Sequence, residues 1–177
     1  CIEDNLGSGQ WGEVTEKAKT MLVPPVTTKE KRIFIEREDA LQSSLKMGCF
    51  VMDRHHPDFL KARVMVTLFG GYFGSRLMSN IREDKGYTYG IGAGIVSYPE
   101  TGILTVSTEA ANEYVDSIIT EVYREMDKLC NDLVPQEELE MVKNYMLGDL
   151  CRSYEGPFSL SDAWIYICLL YTSDAAD

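Results

Sequence analysis

The chain has 177 residues, 45% of them apolar, and carries a net charge of −11 at neutral pH. An apolar share of that size in a chain of this length supports one sizeable buried core, or one domain with a flank. The acidic balance argues against a nucleic-acid binder, which needs a basic stripe to displace phosphate counterions. It fits an enzyme, or an acidic groove that draws basic peptides. No apolar run approaches the roughly 18 to 20 residues that span a bilayer.

Residues 1–30 are polar and broken by Gly7, Gly9, Gly12 and the pair Pro24-Pro25. The stretch VPPVTTKEKR reads as an extended linker, because proline fixes φ and disfavours helix in the residue before it. A domain boundary near residue 30 follows, with the end of a preceding region before it and one domain over 31–167. RIFIE at 32–36 predicts a short strand. Leu41, Leu45, Met47, Cys49 and Val51 then alternate with Gln42, Ser44 and Lys46, the period of a half-buried strand. His55-His56-Pro57-Asp58 predicts a turn into a helix whose apolar stripe is Phe59, Ala62, Met65, Val66 and Phe69. Gly70 and Gly71 are expected to stop it. Ser75 is expected to cap a second helix that runs through Lys85, with Leu77 and Ile81 inward and Gly86 at its end.

Two strands are predicted next, Tyr89 to Tyr98 and Ile103 to Thr108, joined by PETG. A long helix from near Asn112 points Val115, Ile118, Ile119, Val122, Met126 and Leu129 inward. Pro135 with Gln136, Glu137 and Glu138 opens another, with a stripe of Leu139, Val142, Met146 and Leu150. Gly156-Pro157 breaks it, and a last amphipathic piece starts at Phe158. Paired strands between paired helices predict the α+β class: an antiparallel sheet with helices packed on one face.

The ends of the chain read differently. It begins at Cys1 rather than Met, so its true start, and with it the compartment, is expected to lie outside this sequence. The last ten residues, CLLYTSDAAD, resemble the in-frame translation of a sequencing-library adapter, and 168–177 are set aside from the fold reading as a non-native tail. The five cysteines are scattered, odd in number and without CxxC spacing, which predicts buried free thiols rather than a disulfide framework.

Chemistry-bearing patterns are few. The only two histidines, His55 and His56, are adjacent, so their side chains diverge, and no H-x-x-E-H places two ligands on one helical face. No G-x-S-x-G elbow occurs. The turn GGYFGS lacks the lysine of a phosphate-binding loop and joins two helices rather than a strand and a helix. Arg82 falls in the last turn of its predicted helix, where a cation is favoured. Tyr89 opens a strand whose positions 90, 92 and 94 are all glycine. Alternate glycines on one face admit either an added peptide strand or a packed helix, with the tyrosines then in the core. Spacing alone leaves both readings standing.

The stretch GGYFGSRLMSNIREDKGYTYGIGAG, residues 70–94, resembles the signature of the pitrilysin/insulinase family of inverted zinc metallopeptidases. The shared elements are Gly70 and Gly71, Ser75-Arg76-Leu77, Arg82-Glu83, Gly86 and Tyr89. QSSLKMG at 42–48 and PQEELEMVKNYMLG at 135–148 resemble flanking elements, and the likeness covers about residues 30–167. It is to the second, non-zinc domain of the family repeat, which implies the α+β fold above. It also implies a chamber closed over a zinc-bearing domain, in the same chain or a partner chain, in which peptides or unfolded polypeptides are cut. The zinc is then expected on that other domain, with no metal ligands here and no activity in this fragment alone. The family's Arg-Tyr pair maps onto Arg82 and Tyr89, which implies a catalytic role for both. Tyr87, Gly92 and Gly94 are implied as substrate contacts. Tyr72 and Phe73 are bulky where many relatives are small, and are expected to narrow the chamber or pack beneath it. The family also holds members that no longer cut and act as partners or scaffolds, which is the alternative reading.

Overall fold

The computed structural model of the chain describes residues 30–98 and 101–171. The chain divides into two compact units, Cys1–Arg37 and Glu38–Asp177, and all the regular structure below belongs to the second. Residues 32–36 form no strand and are exposed, Phe34 and Ile35 at 79% each, which corrects the RIFIE expectation. A β-strand needs a ladder partner, and these residues have none among the described residues. Most of the linker over 1–30 lies outside the described residues.

Three strands form one antiparallel sheet: β1 (Ser43–Val51), β2 (Thr88–Ser97) and β3 (Gly102–Ala110), in the order β1-β3-β2. β2 and β3 make a hairpin, and β1 returns along the other side of β3. Met47 and Ala93 both lie opposite Val106, while Lys46 and Gly92 both lie opposite Ser107. With the strand period of two, these adjacent rows face opposite sides of the sheet. The inner side carries Leu45, Met47, Ile91, Ala93, Val106 and Ala110, which pack into the core cluster. The outer side carries Ser44, Lys46, Tyr89, Gly92, Gly94, Ser107 and Glu109.

Helix α1 (Phe59–Val66) continues into a π-helical turn, Thr67–Gly71. The next helical segment starts at Arg76 and is π-helical over Met78–Asp84. A 3-10 turn (Asn112–Tyr114) leads into α2 (Val115–Asn131), followed by α3 (Gln136–Arg152) and α4 (Pro157–Tyr171). α4 thus extends into the stretch set aside as a tail, and 172–177 lie outside the described residues. The expected cap at Ser75 does not form. Its hydroxyl is buried without a partner, and it is the Ser75 carbonyl that accepts the Ser79 N–H, at 2.9 Å.

The core lies between the inner sheet face and these helices. Phe69, Leu77, Ile81, Ile91, Val106, Ala110, Ile118 and Val122 are its buried members. Ile81 is wholly enclosed, so truncation to Ala is expected to cost about 2–5 kcal/mol. On α2 only Ile118 and Val122 of the predicted stripe are buried, with Met126 and Leu129 against the core edge. α3 docks on the Thr67–Gly71 turn rather than on the sheet, through the fully buried Val142; Leu150, further along its stripe, is 54% exposed. Gly70 is required where it is. A Cβ there would lie 2.6 Å from Ala93 Cβ and 2.7 Å from Ala93 N, so a side chain would push the turn off the strand. Gly86 ends its helix at φ +65°, a conformation costly for other residues.

The cysteine expectation is corrected as well: Cys49, Cys130 and Cys151 are free thiols but exposed. Cys49 sits near the end of β1 beyond the helical cover, and the other two close α2 and α3 on their solvent sides.

Candidate functional site

The close contact between Gly70 and Ala93 brings the turn 72–75 beside the start of β2. Arg82 rises from the π-helical segment into that corner. Its guanidinium carbon lies 4.6 Å from the centre of the Phe73 ring and 5.7 Å from that of Tyr89. The nearest carboxylate oxygen, on Glu83, is 3.8 Å away, too far for a hydrogen bond. Arg82 thus lies over two aromatic rings, with Glu83 as a longer-range ion partner.

Tyr89 is 91% exposed and stands on the outer sheet face. It borders a shallow cavity of about 340 Å³ lined also by Ser44, Lys46, Gly90, Ser107, Thr108 and Glu109. Further along β2, Gly94 has nothing within 4 Å of where a Cβ would stand, and at Gly92 the first atom met is the Gly70 carbonyl oxygen at 3.8 Å. The glycine positions thus form a bare strip that leads away from the Arg82–Tyr89 corner.

Tyr87 takes the other side. Its ring packs against the core and stacks on Tyr114, with centroids 4.9 Å apart and 15° between planes. The two bulky turn residues also separate. Tyr72 stacks on Tyr145 of α3 at 4.9 Å, and burial, with the Glu138 charge second, pushes its phenol up. Phe73 stays 62% exposed beneath Arg82. Sequence reasoning expected Phe73 to narrow the chamber or pack beneath it, from its size in a turn of glycines, but did not place it under Arg82.

A second polar cluster lies on the opposite flank of the same helical segment. Arg76 donates two hydrogen bonds to Glu138 of α3, Nε to Oε1 at 2.7 Å and a terminal nitrogen to Oε2 at 2.8 Å. That pairing raises the Arg76 pKa above its ordinary value. Asn80 donates to the buried Glu121 and Glu125 at 3.1 and 2.7 Å and accepts from Lys85. Lys85 and Arg124 pair with Glu121, and Lys128 with Glu125. Burial by itself pushes the Glu121 carboxyl up. The hydrogen bonds from Asn80 and Lys85 and the charges of Lys85 and Arg124 outweigh it, and the net direction is downward.

The described residues do not make a zinc site. His55 and His56 sit in a turn, where the His56 Nδ1 accepts the Asp58 N–H at 3.1 Å. No group of three His, Cys, Asp or Glu placed to hold a metal occurs among the described residues. No helix among them is long and apolar enough to cross a membrane.

Element order and sheet register define an α+β domain, an antiparallel sheet with helices packed against it. The chain belongs to the pitrilysin family, peptidase M16: residues 1–146 match the family description "Peptidase M16 inactive domain". It is 27% identical over 146 residues to the uncharacterised zinc protease YmxG of Bacillus subtilis, covering 82% of this chain and 35% of that protein. An uncharacterised zinc protease of Rickettsia felis is 26% identical over 95 residues, 54% of this chain and 23% of that protein. The chain therefore spans about a third or less of the curated relatives it matches. Among solved structures, a peptidase M16 inactive domain from Pseudomonas fluorescens aligns with TM-score 0.58 and 27% identity, over 62% of this chain and 27% of that one. A Helicobacter pylori protease aligns with TM-score 0.71 and 14% identity over 77% of this chain and 33% of that one, a likeness of fold alone.

Proposed function

We propose that this domain is the substrate-binding half of a zinc-dependent peptidase and supplies Arg82 and Tyr89 to an active site whose metal sits on another domain or a partner chain. One observation carries the reading: an almost fully exposed phenol stands beside a guanidinium that lies over two rings and has only a long, 3.8 Å ion pair with Glu83, with no hydrogen bond to it. Hydrolysis of an amide builds negative charge on the carbonyl oxygen. A hydroxyl donor already in position stabilises that charge without reorganisation. The fork of Arg82 is suited to hold carbonyl oxygens of the extended substrate. The bare strip over Gly92 and Gly94 gives that backbone room to approach, and Tyr87, packed on Tyr114 against the core, supports the start of the strand from behind. The substrate class is a peptide or an unfolded polypeptide.

The description of the domain type as inactive favours a second reading, a partner or scaffold that binds polypeptide without cutting it. Tyr89→Phe in the full-length protein, assayed with the zinc-bearing domain, separates the two. A positioned donor predicts a loss of about 10²–10³ in kcat with peptide affinity kept. Unchanged turnover in the variant would end the catalytic assignment.

A further inference from the structure

Tyr89 sits at an irregularity in the sheet. Thr88 pairs with Ala110 and Ile91 with Thr108, so three steps along β2 match two along β3, and Tyr89-Gly90 forms a β-bulge. Bulges re-aim side chains and occur beside active sites, but their unpaired backbone groups need other partners. Here two buried threonines provide them.

Thr88 Oγ1 donates to the Glu109 carbonyl at 2.6 Å and accepts the Gly90 N–H at 3.2 Å. Thr108 Oγ1 lies 2.8 Å from the Gly90 carbonyl and 2.8 Å from Thr88 Oγ1, so its one proton is shared between them. The Gly90 carbonyl also lies 3.1 Å from Thr88 Oγ1. Both side chains are buried, at 9% and 6% exposure. At the far end of the bulge the Ile91 N–H is met by the Met78 sulfur at 3.4 Å. The threonine bonds fall on Thr88 and Gly90, the residues flanking Tyr89. None falls on Tyr89 itself, whose ring is left outside.

We infer that Thr88 and Thr108 are positioning residues: their hydroxyl pair locks the bulge and so fixes where the Tyr89 phenol stands relative to Arg82. The inference rests on the proposed role of Tyr89 for its consequence in turnover, though not for its geometry. Valine in place of either threonine keeps the shape and removes the hydroxyl. The bulge then loses one of its two internal partners and the phenol is misplaced, while Gly92 and Gly94, which neither hydroxyl touches, keep their places. Misplacement of a catalytic group by an ångström costs up to about a hundredfold, so a loss of about tenfold in kcat with KM within about twofold is expected for Thr108→Val.

The experiment uses the full-length protein with its zinc-bearing domain and ring-labelled tyrosine, the Tyr89 signal being assigned by its absence in Tyr89→Phe. Thr108→Val and Thr88→Val are expected to move that signal and lower kcat, and Thr108→Ser, which keeps the hydroxyl, to restore both. In a Tyr89→Phe background, Thr108→Val is expected to cost nothing further, because the threonine acts through the phenol. A Tyr89 signal unmoved in both valine variants overturns the inference. So does an equal loss in the Tyr89→Phe background, which would mark a merely structural threonine. If the signal moves while Tyr89→Phe itself leaves turnover intact, the positioning stands and the catalytic reading of Tyr89 falls.

Discussion

Two arginines leave the same helical segment six positions apart and meet opposite fates. Arg76 is locked to Glu138 by two short parallel hydrogen bonds and ties that segment to α3. Arg82 is stacked between Phe73 and Tyr89, and its nearest carboxylate oxygen is out of hydrogen-bond reach. A guanidinium bound edge-on by a carboxylate has its donors committed to the fold. One that lies over aromatic rings does not commit all of them in that way, which is what the role proposed for Arg82 requires. The difference lies in the partner rather than in burial, since the side chains are 16% and 28% exposed.

The largest test of that contrast is Tyr89→Phe, which keeps the ring over Arg82 and removes only the donor; the expected loss of about 10²–10³ in kcat is read in a peptide assay of the full-length protein. Next comes Arg76→Met. It leaves Glu138 half-buried and unpaired and is expected to lower stability by about 1–3 kcal/mol, measured by denaturant unfolding. A third substitution, Phe73→Leu, removes one of the two faces that hold Arg82. It is expected to weaken turnover severalfold, in line with about 0.5–1 kcal/mol for a cation over a ring at an exposed site, and to leave the unfolding midpoint nearly unchanged.

The smallest effect is a pH dependence on the structural flank. The folded-state acidity of Glu121 is shifted down, so its contribution to stability is complete above the ordinary carboxylate value and is lost as pH falls through the lowered one. Unfolding curves of the parent and of Glu121→Gln should therefore converge as the solution is acidified. Curves that stay parallel would mean the Asn80–Lys85–Glu121 network does not hold the carboxylate charged.

Periodicity made the sheet and most helices legible, because alternation at 44–51 and the three-to-four spacing of Ile118 and Val122 report directly on which face is buried. It failed at 32–36, where apolar residues suit a strand but form none among the described residues. It also missed the π-helical turns, whose hydrogen bonding leaves no distinct mark on side-chain spacing. At the site, Arg82, Tyr89 and the glycine strip were readable as a local pattern within 70–94. Phe73 under Arg82, the Thr88–Thr108 pair across the hairpin and Glu138 on Arg76 were not. Each joins residues that only the folded chain brings together, 9, 20 and 62 positions apart.

The most direct measurement sets the two arginines side by side in the full-length protein: peptide turnover and unfolding midpoint for Arg82→Met and for Arg76→Met. The account predicts that Arg82→Met loses turnover while its midpoint stays near the parent's, and that Arg76→Met lowers the midpoint while the folded fraction keeps its turnover. If Arg82→Met unfolds the protein as readily as Arg76→Met does, or turns over substrate like the parent, the division between a structural and a substrate-facing arginine is contradicted.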